Sequence, residues 1–201
     1  TPRVTMQYKA SDNAMLFANW SKGYKAGGFN SRGTRPENVG PYDPENVTSY
    51  EAGIKTDLAG RTIRFNLTGF LNKFKDLQGG VTRPGAVRAE AVTVNVAAAE
   101  TWGIELETLF RLSSQFTLSA NVGYLHSRYT SFCDDVDGVF SASATAAGQC
   151  GAAVPFTFAG SPTISYLIPT DNTGLELANA PEISGSVAAD YTAPISLGEI
   201  R

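Results

Sequence analysis

The feature that most constrains this chain is an alternation of apolar and polar residues that recurs over most of its length. In residues 116–124, Phe, Leu, Ala, Val and Tyr occupy every second position, and Thr, Ser, Asn and Gly occupy the positions between them. Successive side chains of a β-strand point to opposite faces of its sheet, so this period indicates strands with one apolar and one polar face. Helical periodicity is nearly absent. The chain is therefore predicted to be all-β.

Seven long strands are predicted, and links of two kinds separate them. The strands cover residues 2–9, 14–26, 47–58, 61–75, 91–112, 115–131 and 181–193, and an eighth begins at Ser196. Short links rich in turn residues lie at 11–13, 59–60 and 113–114, and long links lie at 27–46, 76–90 and 132–180. Short and long links alternate strictly. An antiparallel up-and-down meander with short turns at one rim and long loops at the other is typical of bacterial outer-membrane barrels.

Composition excludes several classes of function. The net charge is −3, so no basic surface indicates nucleic-acid binding. No apolar run reaches the roughly 18 residues of a transmembrane helix, whereas a spanning strand needs only about 9–11 alternating residues. His126 is the single histidine, which leaves little material for catalysis or metal binding. We expect no enzyme, no cofactor and no metal centre, and a soluble β-sandwich remains the alternative to a membrane barrel because it also has one apolar face.

The two predicted faces differ in charge. Aromatic residues near the strand ends of the apolar face resemble interfacial girdles, although aromatic residues favour strands in any sheet. The opposite face carries a set of charged residues, namely Glu51, Lys55, Arg64, Glu105, Glu107 and Arg111. Such a face favours the polar interior of a wide barrel, or a solvated sheet face if the protein is soluble.

The longest link contains two further features. Cys133 and Cys150 lie at the two ends of one polar segment rich in Gly, Ala and Ser. A disulfide between them fits an oxidising compartment, and two free thiols are the alternative. Asp134, Asp135 and Asp137 form an acidic cluster that offers oxygen ligands to Ca²⁺ or is simply a solvated loop tip.

Five stretches, taken in order, resemble the barrel of TonB-dependent outer-membrane receptors. They are SKGYKAGGFN at 21–30, YDPENVTSYEAGIK at 42–55, GFLNKFKDLQ at 69–78, NVAAAETWGIELE at 95–107 and LANAP at 177–181. Each is a loose pattern alone, but the ordered set extends over nearly the whole chain. The resemblance implies a siderophore-receptor-like protein, with residues 1–201 forming an internal part of the C-terminal barrel wall.

The family implies a transmembrane barrel of 22 antiparallel strands in the bacterial outer membrane, with an N-terminal plug inside it. Neither a signal peptide nor a plug precedes the predicted strands, so the chain is expected to be a mature or internal piece. The apolar face would meet outer-membrane lipid, and the six charged residues of the polar face would face the plug. Import of a scarce nutrient such as a ferric siderophore would be driven by the TonB complex through the missing N-terminal region. A passive porin-like barrel is the alternative transport function.

Contacts to the transported ligand are expected from the long loops. The candidates are Asn30, Arg32, Arg35, Tyr42, Gln78, Arg83 and Arg88. Arginine binds anionic groups strongly, so the four arginines would attract an anionic ferric chelate. The alternative is that they are ordinary exposed arginines.

Overall fold

The computed structural model describes residues 1–135 and 140–193, which contain twelve strands. They are β1 (Arg3–Ser11), β2 (Ala14–Lys25), β3 (Gly28–Asn30), β4 (Gly40–Tyr42), β5 (Glu45–Leu58), β6 (Ile63–Pro84), β7 (Ala89–Arg111), β8 (Phe116–Asp134), β9 (Val154–Phe156), β10 (Ser165–Leu167), β11 (Thr170–Asp171) and β12 (Ile183–Tyr191). Two 3-10 turns lie at Pro36–Asn38 and Ala59–Arg61. No helix within the described residues is long and apolar enough to span a membrane.

Seven long strands form one antiparallel sheet in the order β1-β2-β5-β6-β7-β8-β12. Each strand pairs with the next long strand along the chain, which confirms the predicted up-and-down meander. The end of each long strand that lies away from the short turns is called its upper end. The strand β11 pairs with the upper end of β8, and the pairs β3–β4 and β9–β10 form two small separate sheets. The predicted eighth strand at Ser196 lies outside the described residues.

One side of the sheet, called the apolar face below, exposes large hydrophobic side chains on all seven long strands. Directly opposed residues of neighbouring strands share a face, so the register assigns each side chain to one side. Fifteen exposed hydrophobic residues lie on this face, namely Val4, Met6, Tyr8, Leu16, Tyr24, Tyr50, Leu58, Leu67, Trp102, Ile104, Val122, Tyr124, Ile183, Val187 and Tyr191. A sandwich would cover such a face with a second sheet, and the described part of the chain has no second sheet of comparable size. An exposed apolar surface of this extent marks contact with a membrane or another protein.

The opposite side, called the polar face, carries the charged residues that the alternation places together. The register puts all six charged candidates on this side: Glu51, Lys55, Arg64, Glu105, Glu107 and Arg111. Amides bridge some of the carboxylates across strands. Asn19 donates to Glu51 over 3.1 Å and Asn66 donates to Glu107 over 3.3 Å.

Two aromatic rings on the polar face lie over glycines of the neighbouring strand. A Cβ atom on Gly103 would lie 2.7 Å from the Phe70 ring, and one on Gly53 would lie 2.7 Å from the Phe17 ring. Because glycine has no side chain, each ring can lie close to the backbone of the adjacent strand. These contacts explain why glycine occupies two polar-face positions in the middle of long strands.

The second long link differs from its prediction. Residues 76–90 were expected to form a loop. Instead, β6 continues to Pro84 and β7 begins at Ala89, and these two residues pair directly. The two strands are 22 and 23 residues long, and the turn between them is only four residues. A bulge at Asp76, with φ of 55°, marks where the hairpin leaves the main sheet register. The glycines and proline of this segment suggested a loop, whereas cross-strand pairing satisfies its backbone.

Candidate functional site

Three long connections meet at the end of the sheet opposite the short turns. We call them the first loop (residues 26–44), the hairpin extension (76–95) and the third loop (135–182). They contain all seven residues predicted to contact a ligand. The structure brings the three segments into contact through side-chain hydrogen bonds that join residues about 50 positions or more apart in sequence.

The base of the first loop is fastened to the hairpin extension by two amide side chains. Gln78 Nε2 donates to the carbonyl oxygens of Ala26 and Asp43, over 2.9 and 3.1 Å. Asn95 Nδ2 donates to the carbonyl oxygens of Asp43 and Asp76, over 2.9 and 2.7 Å, and its Oδ1 accepts from the Asp43 backbone N–H. Gln78, predicted as a ligand contact, therefore holds the first loop in place.

Asn30 and Tyr42, two other predicted ligand contacts, each make a contact that shapes the first loop. Asn30 Nδ2 donates to the Thr93 carbonyl over 2.7 Å, and its Oδ1 accepts from the Thr93 N–H over 3.1 Å. The amide thus pairs with the strand as another backbone unit would. The Tyr42 ring lies against Gly28, where a Cβ atom would come within 2.3 Å of the tyrosine hydroxyl oxygen. Asn30 therefore fixes the first loop to β7, whereas Tyr42 packs within the first loop itself.

Glu90 is the centre of the contact at the tip of the hairpin extension. Its carboxylate accepts hydrogen bonds from the Thr34 N–H, the Thr34 hydroxyl and the Asn38 amide. Burial acts to raise the pKa of Glu90, but these hydrogen bonds and the nearby Arg35 outweigh it and hold the pKa below its ordinary value. The first loop is therefore bound to the hairpin by a carboxylate that stays ionised.

Arg35 and Arg83 connect the hairpin extension to its neighbours. Arg35 donates to the carbonyl oxygens of Gly85, over 3.0 Å, and Thr157, over 2.6 Å. Arg83 forms a two-pronged ion pair with Asp134, with both N–O distances at 2.7 Å. The side chains of Arg83 and Asp134 are only 21% and 9% exposed. Two of the four predicted arginines therefore hold the loops together.

Arg32 and Arg88 stand apart from this network. Both side chains are exposed, and neither makes a hydrogen bond or ion pair to a residue that the structure describes. They are carried by the first loop and by the turn of the hairpin extension, which the Glu90 contact joins. The arrangement therefore presents two unpaired guanidinium groups on a platform whose segments are fixed to each other.

The third loop has a small core of its own. Cys133 and Cys150, predicted as a pair, are joined by a disulfide with their Cα atoms 5.9 Å apart. The rings of Phe140, Phe156 and Phe158 pack at centroid distances of 4.7 to 5.9 Å. The third loop is therefore a folded element beside the hairpin extension. The Ala159 N–H of this loop donates to the carbonyl oxygen of Ala86 in the hairpin extension.

The acidic cluster beside this loop does not form a calcium site among the described residues. Asp134 directs its carboxylate to Arg83, Asp135 is buried, and Asp137 lies outside the described residues. Among the residues at 1–135 and 140–193, no group of three or more acidic, histidine or cysteine side chains is placed to hold a metal ion.

The sequence pattern singled out the arginines but not Glu90 or Asn95, and it placed Asp134 in an acidic cluster without indicating its ion pair with Arg83. Asn95 had a detectable signal, because it is an amide within the run Val92, Val94 and Val96 of an otherwise apolar segment. The contacts of Glu90 and Asp134 had no local signal, since the side chains that their carboxylates bind lie 51 to 56 residues away along the chain.

The model of the TonB-dependent receptor-like β-barrel family matches residues 1–198. The chain is 29% identical over 131 residues to the metal-pseudopaline receptor CntO of Pseudomonas aeruginosa. The aligned residues cover 65% of this chain and 17% of that protein. The chain thus spans less than a fifth of that relative's length.

Two solved structures share the fold. The siderophore receptor PiuA from Acinetobacter baumannii superposes with a TM-score of 0.59 at 16% identity, over 94% of this chain and 23% of that one. The ferric yersiniabactin uptake receptor FyuA from Yersinia pestis has a TM-score of 0.53 at 22% identity, over 64% of this chain and 18% of that one. At these identities the likeness establishes the architecture alone.

Proposed function

The chain belongs to the TonB-dependent receptor-like β-barrel family, and we propose that it supplies wall strands and outward loops to an outer-membrane receptor that imports a metal chelate. The observation that carries this proposal is the family match over residues 1–198, nearly the whole chain. The family consists of transport receptors and not of enzymes.

The two faces of the sheet support a position in the outer membrane. The apolar face, with its fifteen exposed hydrophobic residues, is suited to lipid. The polar face, with its balanced acidic and basic side chains, is suited to a water-filled interior that holds a plug. In this proposal the seven strands are about a third of a 22-stranded barrel, a strand number that is taken from the family resemblance. The TonB complex would act on a region of the protein outside this chain.

A ferric siderophore is the cargo that we propose. The similar proteins are named as a metal-pseudopaline receptor, a siderophore receptor and a ferric yersiniabactin uptake receptor, so chelated metals recur among them. Chelates of this kind with carboxylate or phenolate groups are anionic, and a guanidinium binds such oxygen atoms through parallel hydrogen bonds. Arg32 and Arg88 are the residues we assign to this contact, on the platform that Arg35, Arg83 and Gln78 hold in shape.

This assignment is tested by removing the two exposed charges from the full-length receptor. We expect Arg32→Gln with Arg88→Gln to weaken the affinity for an anionic ferric chelate by about tenfold or more, because a hydrogen bond to a charged group contributes about 1.5–3 kcal/mol. Titration of the purified protein by intrinsic fluorescence measures the affinity.

The matched control removes two charges near the short turns, Lys9→Gln with Arg61→Gln, and should leave the affinity unchanged. A neutral chelate of the same size should bind both variants equally. If the loop variant binds the anionic chelate as tightly as the control variant does, the assignment of Arg32 and Arg88 is wrong.

A further inference from the structure

Basic side chains form a row on the apolar face, toward the end that carries the long loops. The register aligns Lys22, Thr48, Lys73, Glu100 and Arg128 on five adjacent strands. Lys75 follows two residues further along β6 on the same face. A row of cations is unexpected on a surface that is otherwise hydrophobic, and nothing in the loop network uses it.

The cations of this row remain available to a ligand. The side chains of Lys73 and Arg128 are 55% and 52% exposed. Glu100 is the one acid in the row, and it lies 3.9 Å from Lys73 and 3.6 Å from Arg128. Both distances exceed the roughly 2.7–2.9 Å of a charged hydrogen bond, so most donors stay unoccupied. Three cations against one acid leave the row with a net positive charge.

The level of the row indicates the partner. The next row of the same face, two residues closer to the short turns, is Trp20, Tyr50, Leu71, Trp102 and His126. Two residues correspond to about 7 Å along a strand. Aromatic belts lie at the level of lipid headgroups, and the cations lie just outside this one. A charged row in that position faces the phosphate groups of the surrounding lipid.

A groove of about 600 Å³ lies on the same face, and its small residues are four positions closer to the short turns than the basic row is. Its lining includes Met6, Ala18, Trp20, Ala52, Gly69 and Leu71. Three small residues of the lining, Ala18, Ala52 and Gly69, are aligned on adjacent strands. The groove is open and mostly apolar, as the binding of an acyl chain requires, although Asn19 and Glu51 also border it. Trp20 and Leu71, which line its side nearer the long loops, lie between the groove and Lys22 and Lys73.

We infer that this surface binds a phosphorylated lipid of the outer leaflet, with phosphate on Lys22, Lys73 and Arg128 and an acyl chain in the groove. The inference rests on the proposed position in the outer membrane. It adds a specific lipid site to a face that would otherwise meet lipid only through unspecific hydrophobic contact.

The test titrates the full-length receptor in detergent with bisphosphorylated lipid A and counts bound molecules by native mass spectrometry. Lys22→Gln with Lys73→Gln should weaken binding roughly thirtyfold, the factor expected for two lysines at an anionic membrane surface. The matched control, Lys9→Gln with Lys25→Gln, also removes two lysines but on the polar face, and it should bind as the wild type does. Equal losses in the two variants would overturn the inference.

Two further arms separate the headgroup from the acyl chain. Gly69→Leu fills the groove without a close backbone contact, since the nearest atom to a Cβ atom there is 3.9 Å away, and it should weaken the binding of lipid A. Unchanged binding would remove the acyl chain from the inference. Dephosphorylated lipid A should bind poorly, and millimolar inorganic phosphate should not displace lipid A. Complete displacement would assign the site to free phosphate.

Membrane fractionation and chelate titration of the same variants keep the two proposals apart. A receptor absent from the outer-membrane fraction would refute the proposed function whatever lipid it binds in detergent. A receptor that is found there and binds chelate, but whose affinity for lipid A is unchanged by Lys22→Gln with Lys73→Gln, would refute only the lipid site.

Discussion

At the scale of single residues, the ion pair between Arg83 and Asp134 is the least exposed in the described chain. It joins the hairpin extension to the third loop, and the Asp134 carbonyl oxygen also accepts from Asn172 over 3.1 Å. A pair in this position differs from Lys9 with Asp12, whose side chains are 70% and 94% exposed. Exposed pairs contribute about 0–1 kcal/mol, whereas breaking a buried pair leaves a charge without its partner.

Replacing Arg83 with Gln in the full-length receptor should therefore loosen the third loop. The expected cost to the loop contact is about 3 kcal/mol, because the carboxylate of Asp134 would stay buried and uncompensated. Hydrogen exchange should rise in residues 165–175 and remain unchanged in the middle of β5 and β6. The control, Asp12→Asn, should leave exchange in the third loop unaltered, and equal protection in the two variants would contradict the structural role given to Arg83.

The residue scale also shows where sequence reasoning ends. The alternation placed Glu105, Glu107 and Arg111 on one face correctly, because a strand fixes the direction of each side chain locally. It did not distinguish Arg83, which is bound to Asp134, from Arg88, which is exposed, because both are arginines in the same predicted link. The difference depends on a partner 51 residues away, and no local pattern encodes that pairing.

At the scale of elements, the strand bounds were predicted well wherever a strand crosses the main sheet. Strand β2 was expected at 14–26 and lies at Ala14–Lys25, and the short turns at 59–60 and 113–114 were also located. The upper end of β6 was missed, since it was expected at residue 75 and lies at Pro84, whereas β7 was expected from residue 91 and begins at Ala89. Glycine and proline are frequent there, and the pairing that orders them, such as that of Val81 with Val92, forms only when the hairpin closes.

The disulfide between Cys133 and Cys150 acts on one element only. It closes a loop with a sequence separation of 17 residues, and closing about 15 residues stabilises a fold by about 3 kcal/mol in the chain-entropy account. Cys133 lies near the end of β8 and Cys150 lies in the third loop. Replacing both with Ser should therefore loosen the third loop and leave the seven-stranded sheet intact. Limited proteolysis should cut the variant within the third loop much faster than the wild type.

Thermal unfolding of the sheet, followed by circular dichroism, is the accompanying measurement for the disulfide variant. It should show the same transition in wild type and variant, and adding reductant to the variant should change nothing further. A collapse of the whole sheet on loss of the disulfide would contradict a role confined to the third loop.

At the scale of the whole molecule, the described sheet has an odd number of long strands. The edge strands β1 and β12 therefore run in the same direction, and joining them would require a parallel pair. Barrels of the bacterial outer membrane are antiparallel with an even strand number, so these seven strands close only together with further strands. In the proposed receptor, further strands would complete the wall, and the apolar face would form its outside and the polar face its inside.

A closed wall with this polar interior would conduct ions unless something fills it. In the main sheet the polar face carries six acids, Glu45, Glu51, Asp57, Glu105, Glu107 and Asp190, and six bases, Arg3, Lys9, Lys25, Lys55, Arg64 and Arg111. Such balanced charges suit ion pairs with a plug better than the selectivity of an open pore. The full-length receptor, reconstituted in a planar bilayer, is therefore expected to show no steady conductance. A variant from which the plug is deleted should form large open channels, which controls for insertion into the bilayer. Steady conductance by the intact protein, at the level of the plug-deleted variant, would instead assign the barrel to passive diffusion.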